Sequence, residues 1–129
     1  MFHYTVETTK SVEEAAKTLE ESLKEKQFGV LWHFDVKGTL ESKGLDYEYP
    51  FLVLEVCNPK AAQQVLTTNQ MVGYMLPCKM VVYQDDQDEK TKIGMPKPTE
   101  LMKMVGDDAI HETAKDIENQ LIEAIEQSK

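Results

Sequence analysis

The sequence predicts a two-layer α+β fold: a five-stranded antiparallel sheet with helices on one face, in the order strand, helix, four strands, helix. Three observations predict it. Five short runs alternate apolar and polar residues or are rich in Val, Phe and Tyr. Two long segments carry apolar stripes at spacings of three and four residues. The stretch after Gly94 holds Pro96 and Pro98 and cannot supply a further strand, which disfavours the alternative, a ferredoxin-like sandwich of two split units. A length of 129 residues matches one core, so residues 1–129 are expected to form a single domain.

Each element has its own signal. Phe2 to Glu7 alternates and reads as the first strand. Ser11 with Glu14 three residues later is a helix-start pattern. It opens a helix with the stripe Val12, Ala15, Ala16, Leu19 and Leu23, ending near Lys26. Phe28 to Val36 is a second strand, expected to place Phe28, Val30, Trp32, Phe34 and Val36 on one face and Leu31 and His33 on the other. Lys37 to Glu48 is a connection, with one short helical turn capped by Thr39 and ended by Gly44. Tyr49 to Cys57 is the third strand, with Leu52, Leu54 and Val56 on one side and Phe51, Val53, Glu55 and Cys57 on the other. Asn58 then caps a short helix with Pro59 in its first turn. Asn69 to Pro77 reads as a loop. Cys78 to Gln84 and Lys90 to Met95 are the last two strands, joined by the polar turn Asp85-Asp86-Gln87-Asp88. Thr99 to Val105 forms a short helix, and Asp107 or Asp108 caps the final one, whose stripe runs through Ile110, Ala114, Ile117, Leu121, Ala124 and Ile125.

Composition excludes several functions. The apolar fraction of 41% and charged fraction of 29% are those of a soluble globule. A formal charge of −9 repels phosphate backbones and anionic lipid heads, so nucleic acid and membrane are not expected partners. Met1-Phe2-His3-Tyr4 does not start a basic stretch followed by an apolar one, so no secretory leader is expected and the expected compartment is the cytoplasm. No run approaches the roughly 18 apolar residues of a membrane helix.

Several segments together are distinctive: Gly44-Leu45, the run from Pro50 to Pro59 with its Cys57-Asn58-Pro59 end, Leu76-Pro77-Cys78 and Val81-Val82-Tyr83. They resemble the bacterial and archaeal family called domain of unknown function 302, over roughly Phe28 to Val105. The resemblance implies a fold similar to the TATA-binding-protein-like arrangement, a homodimer, and no particular activity, substrate or cofactor. One departure is Gly94-Met95-Pro96, where similar proteins often carry a small or acidic residue just before the proline. The implied fold invites a DNA-binding role, which the charge of −9 argues against.

The candidate chemistry centres on Cys57 and Cys78, the only cysteines. Each sits where a strand meets a turn, so neighbouring strands would bring both to one end of the sheet. Cys57 precedes a helix cap, where backbone amides lower a thiol pKa and favour a thiolate. The same residues also fit plain packing, since free cysteines are commonly buried as small hydrophobes. Glu55 is either a catalytic carboxylate or a partner for Lys79 on the next strand. The expected ligand-binding set is His33, Cys57, Asn58 and Cys78. A metal site built on Cys57, Cys78 and His33 would fall short of the four ligands of structural zinc. Met71, Met75, Met102 and Met104 line an apolar pocket or fill the core.

Two functional readings follow. One is a homodimeric cytoplasmic protein binding a small ligand in a groove near the cysteines, with Leu31, Phe51 and Val53 giving the uncovered sheet face an apolar surface. The other is a thiol-based redox or metal-binding protein using Cys57 and Cys78.

Overall fold

A computed structural model describes all 129 residues. The strands are β1 (His3–Thr8), β2 (Gly29–Asp35), β3 (Phe51–Cys57), β4 (Cys78–Gln84) and β5 (Thr91–Pro96). The helices are α1 (Val12–Glu25), α2 (Val36–Ser42), α3 (Pro59–Thr68), α4 (Pro98–Met102) and α5 (His111–Ser128). The sheet is antiparallel throughout, in the order β1-β5-β4-β3-β2. The expected α+β architecture is therefore present, with β2 to β5 as a meander and β1 closing onto β5. No helix is long and apolar enough to cross a membrane.

Two helix starts follow the expected chemistry. Ser11 Oγ accepts the Glu14 amide at 3.2 Å, and Asn58 Oδ1 accepts the Ala61 amide at 3.1 Å. The last helix departs from expectation: Asp107 Oδ1 accepts the Ala109 amide at 2.9 Å and caps a 3-10 turn, and α5 itself begins after Ile110 with no side-chain cap. The stripes of α1 and α5 then bury Leu19, Leu23, Leu121, Ala124 and Ile125 against Leu54, Val56, Met80, Val82 and Ile93 of the sheet. A satellite core of Val65, Val72 and Ile110 ties α3 and the following 3-10 turn to the start of α5.

Three further local expectations are corrected. The short helix after β2 is capped by Asp35, which accepts the Gly38 amide at 2.9 Å, and not by Thr39. Its end does use Gly44, at φ +78°. The segment from Asn69 to Pro77 is not all loop, because Gln70–Met75 winds into a 3-10 turn. The largest correction lies in β2. Val30 pairs with Val56, yet Trp32 pairs with Glu55, so Leu31 is an extra residue in a bulge. A bulge inverts the alternation beyond it. Val30 therefore packs on the helix side, and Trp32 and Phe34 join the open side instead of sharing Val30's face.

Candidate functional site

Of the residues expected to form one site, Cys57, Asn58 and Cys78 border one small cleft at the sheet end, and His33 lies apart from them. Cys57 lies across from Gly29 at the end of β3, and Cys78 across from Val56 at the start of β4. Both are free thiols, and they are not close to one another. Both border a cleft of about 20 Å³ between the sheet end, α3 and α5. That space is roughly one water and too small for a substrate. Burial pushes the Cys57 thiol up, and pushes Cys78 up to about 11. The helix cap beside Cys57 was expected to lower its pKa. Desolvation outweighs it, because a thiolate in apolar surroundings loses water that the cap amides do not replace.

The other candidates have comparable explanations. Glu55 and Lys79 are register partners on the open face, 2.9 Å apart, which is the pairing alternative foreseen for that acid. The side-chain oxygen of Asn58 is occupied by its cap. His33 faces α1 because of the bulge, with Nε2 3.3 Å from Glu20. It pairs with Leu54, three residues and so about 10 Å along β3 from Cys57. No three His, Cys, Asp or Glu side chains assemble as metal ligands, so the Cys57, Cys78 and His33 set does not come together.

What the fold does assemble is the open face of the sheet. Trp32 and Phe34 stack at 5.2 Å with their planes 5° apart. Phe51 and Tyr83, register partners, sit 5.1 Å apart. Val53 pairs with Val81 between them. At the β1 side this face dips into a depression of about 470 Å³, walled by Phe2, Phe51, Val81, Tyr83 and Pro96. Gly94 lies at its base between Thr5 and Val81. A Cβ there would meet Thr5 Oγ1 at 2.7 Å. His3 stands at the rim, its Nδ1 2.9 Å from Thr5 Oγ1.

Sequence reasoning saw Phe51, Val53 and the Glu55–Lys79 pair, and gave Leu31 to this face, but missed its other aromatic residues. The alternation Lys79, Val81, Tyr83 would have added β4 once its register with β3 was drawn. Trp32 and Phe34 were hidden by the bulge, and His3, Thr5 and Gly94 meet only because β1 pairs with β5.

No curated protein matches the chain. A solved crystal structure, of an uncharacterized conserved DUF302 protein from Bacillus stearothermophilus, is similar at 51% identity and a TM-score of 0.95. The match covers 100% of this chain and 99% of that one. The family model for the domain of unknown function DUF302 matches residues 4–128. With nearly the whole length matched, the resemblance seen in the Cys-Asn-Pro and Leu-Pro-Cys segments holds, and the chain belongs to the DUF302 family.

Proposed function

We propose that this protein is a homodimeric binding module, pairing the open sheet faces of two copies and holding a small apolar ligand at the seam. One observation carries the reading: the sheet side away from α1 and α5 is lined by Trp32, Phe34, Phe51, Val53, Val81 and Tyr83. A two-layer fold leaves such a face in water unless something covers it, and a second copy related by a two-fold axis is the commonest cover. The size is adequate. Five strands about 4.8 Å apart and about 20 Å long present roughly 500 Å². Two copies then bury about 1,000 Å² or more, the least area expected of a biological interface. The Glu55–Lys79 pair neutralises its own charges on that face, so it brings no net charge into the contact.

The ligand belongs in the 470 Å³ depression rather than in the 20 Å³ cleft beside the cysteines. Sedimentation of the purified protein tests the pairing, with Val53→Asp as the control. A dimeric wild type and a folded, monomeric variant support it. A monomeric wild type contradicts it.

The thiol-based alternative has no observation in its favour, since both thiols are disfavoured as thiolates by burial. Labelling with a thiol reagent separates the two readings. Fast labelling of the folded protein would restore the redox reading, and labelling only on unfolding would remove it.

A further inference from the structure

We infer that the site at the seam is shared: the depression of one copy is roofed by the Trp32–Phe34 stack of the other, and the slot so closed takes a neutral planar ring. This deepens the reading of the open face as a two-fold pairing surface and rests on it. The register draws one row across all five strands of that face, from Phe34 through Val53, Val81 and Gly94 to Thr5. Bulk falls along the row. Phe34 stands at the β2 end with Trp32 stacked on it, and the depression lies toward the β1 end over Gly94. The face therefore carries a ridge on one side and a hollow on the other.

A pairing that buries only the least area expected of an interface has none to lose, so the two faces overlap almost fully. The two-fold axis then passes through the middle strand, β4. Sheets stacked with aligned strands allow that axis to run across β4 or along it. Across β4, each β2 meets the other β2, ridge strikes ridge and hollow faces hollow. Along β4, each β2 lies over the partner's β1, and each ridge enters a hollow. Only the second arrangement is self-complementary and free of a large void. Within one chain, β2 lies three strands from β5, about 14 Å away, so a chain's own Trp32 does not roof its own depression.

The lining sets the ligand class. The depression, about 470 Å³, is of small-molecule size. No Asp, Glu, Lys or Arg lines it. A charged ligand roofed there would lose its water and gain no counter-charge. Phe51 and Tyr83 give the slot one aromatic wall, and the partner's Trp32 gives it a second. Such surfaces take a flat ring between them in offset or edge geometry.

The test uses 4-bromobenzyl alcohol and its isostere 4-methylbenzyl alcohol, with sedimentation on the same samples. Trp32 is the only tryptophan, and bromine quenches an indole only near contact. Both alcohols should bind saturably by calorimetry, and only the bromo compound should quench Trp32. The charged probes 4-bromobenzoate and 4-bromobenzylamine should bind about tenfold or more weaker. Thr5→Phe lays a ring over Gly94 and fills the depression while keeping Trp32. Trp32→Phe keeps the depression and an aromatic roof but removes the emission. Thr5→Phe alone should stay unquenched. Refolded with an excess of Trp32→Phe it should become quenched, because only the mixed dimer sets Trp32 over an open depression. Thermal melts report whether each variant folds, and Val81→Phe replaces Thr5→Phe if that one does not. Binding without quenching by a dimer, quenching of Thr5→Phe alone, or no recovery in the mixture overturns the shared site and leaves the pairing intact. Equal binding of the charged probes, or no saturable binding by a dimeric protein, overturns the ligand class. A wild type that sediments as a monomer overturns the pairing and the shared site together.

Discussion

Gln27 adopts φ +65°, in the left-handed region, so that the Phe28 amide can reach the Leu23 carbonyl at 2.9 Å and close α1. A side chain there is strained, and glycine is the residue that relieves it. Gln27→Gly should stabilise the fold by about 0.5–1 kcal/mol, the left-handed strain less the added chain entropy. A urea melt reads this, and an unchanged midpoint would show that the turn is not strained. Cys78 gives a second prediction at this scale. Its folded pKa is raised above the ordinary 9.0 to about 11. The stability contributed by the neutral thiol is therefore full below pH 9.0 and is lost as pH rises through about 11. Melts across that window should show a steeper loss for wild type than for Cys78→Ala, and parallel curves would contradict the shift. Caps at Ser11 and Asn58 were legible from sequence because each depends on one side chain and its own next turn, whereas Asp107 caps a 3-10 turn and not the long helix expected of it. The thiol pKa was not legible, because burial depends on α3 and α5 arriving over the cleft.

Among elements, the strands were legible as strands, but one was turned over. Nothing in Gly29-Val30-Leu31-Trp32 announces the bulge at Leu31, since each residue suits a strand. The bulge sends His33 to Glu20 and Trp32 and Phe34 to the open face. It therefore dissolves the expected His33–cysteine set and enlarges the aromatic surface at once. The β1–β5 pairing depends on Gly94, where a Cβ would strike Thr5 Oγ1 at 2.7 Å and lie 3.3 Å from the Tyr4 carbonyl oxygen. Gly94→Ala should cost about 1–3 kcal/mol, the usual range for overpacking. Equal thermal stability to wild type would show that Thr5 simply rotates away. The Glu55–Lys79 cross-strand pair is partly exposed and should matter less. Glu55→Gln is expected to cost under about 1 kcal/mol in the same melts. A much larger loss would mean that the carboxylate does more than pair with Lys79.

For the whole molecule, the layer arrangement followed from alternation and helical stripes because one core must bury both. The depression did not follow, since it combines β1, β3, β4 and β5 and requires their registers. The proposed dimer places the aromatic face of each copy against the other and leaves most of the −9 charge on outer surfaces, which favours one closed contact over further aggregation. Sedimentation equilibrium of the wild-type protein tests this most directly. Face-to-face pairing predicts a particle of twice the 14.7 kDa chain mass, with Trp32 emission shifted to the blue as the pair forms on raising the concentration. A particle of 14.7 kDa at every concentration, with Trp32 emission unchanged, would contradict it.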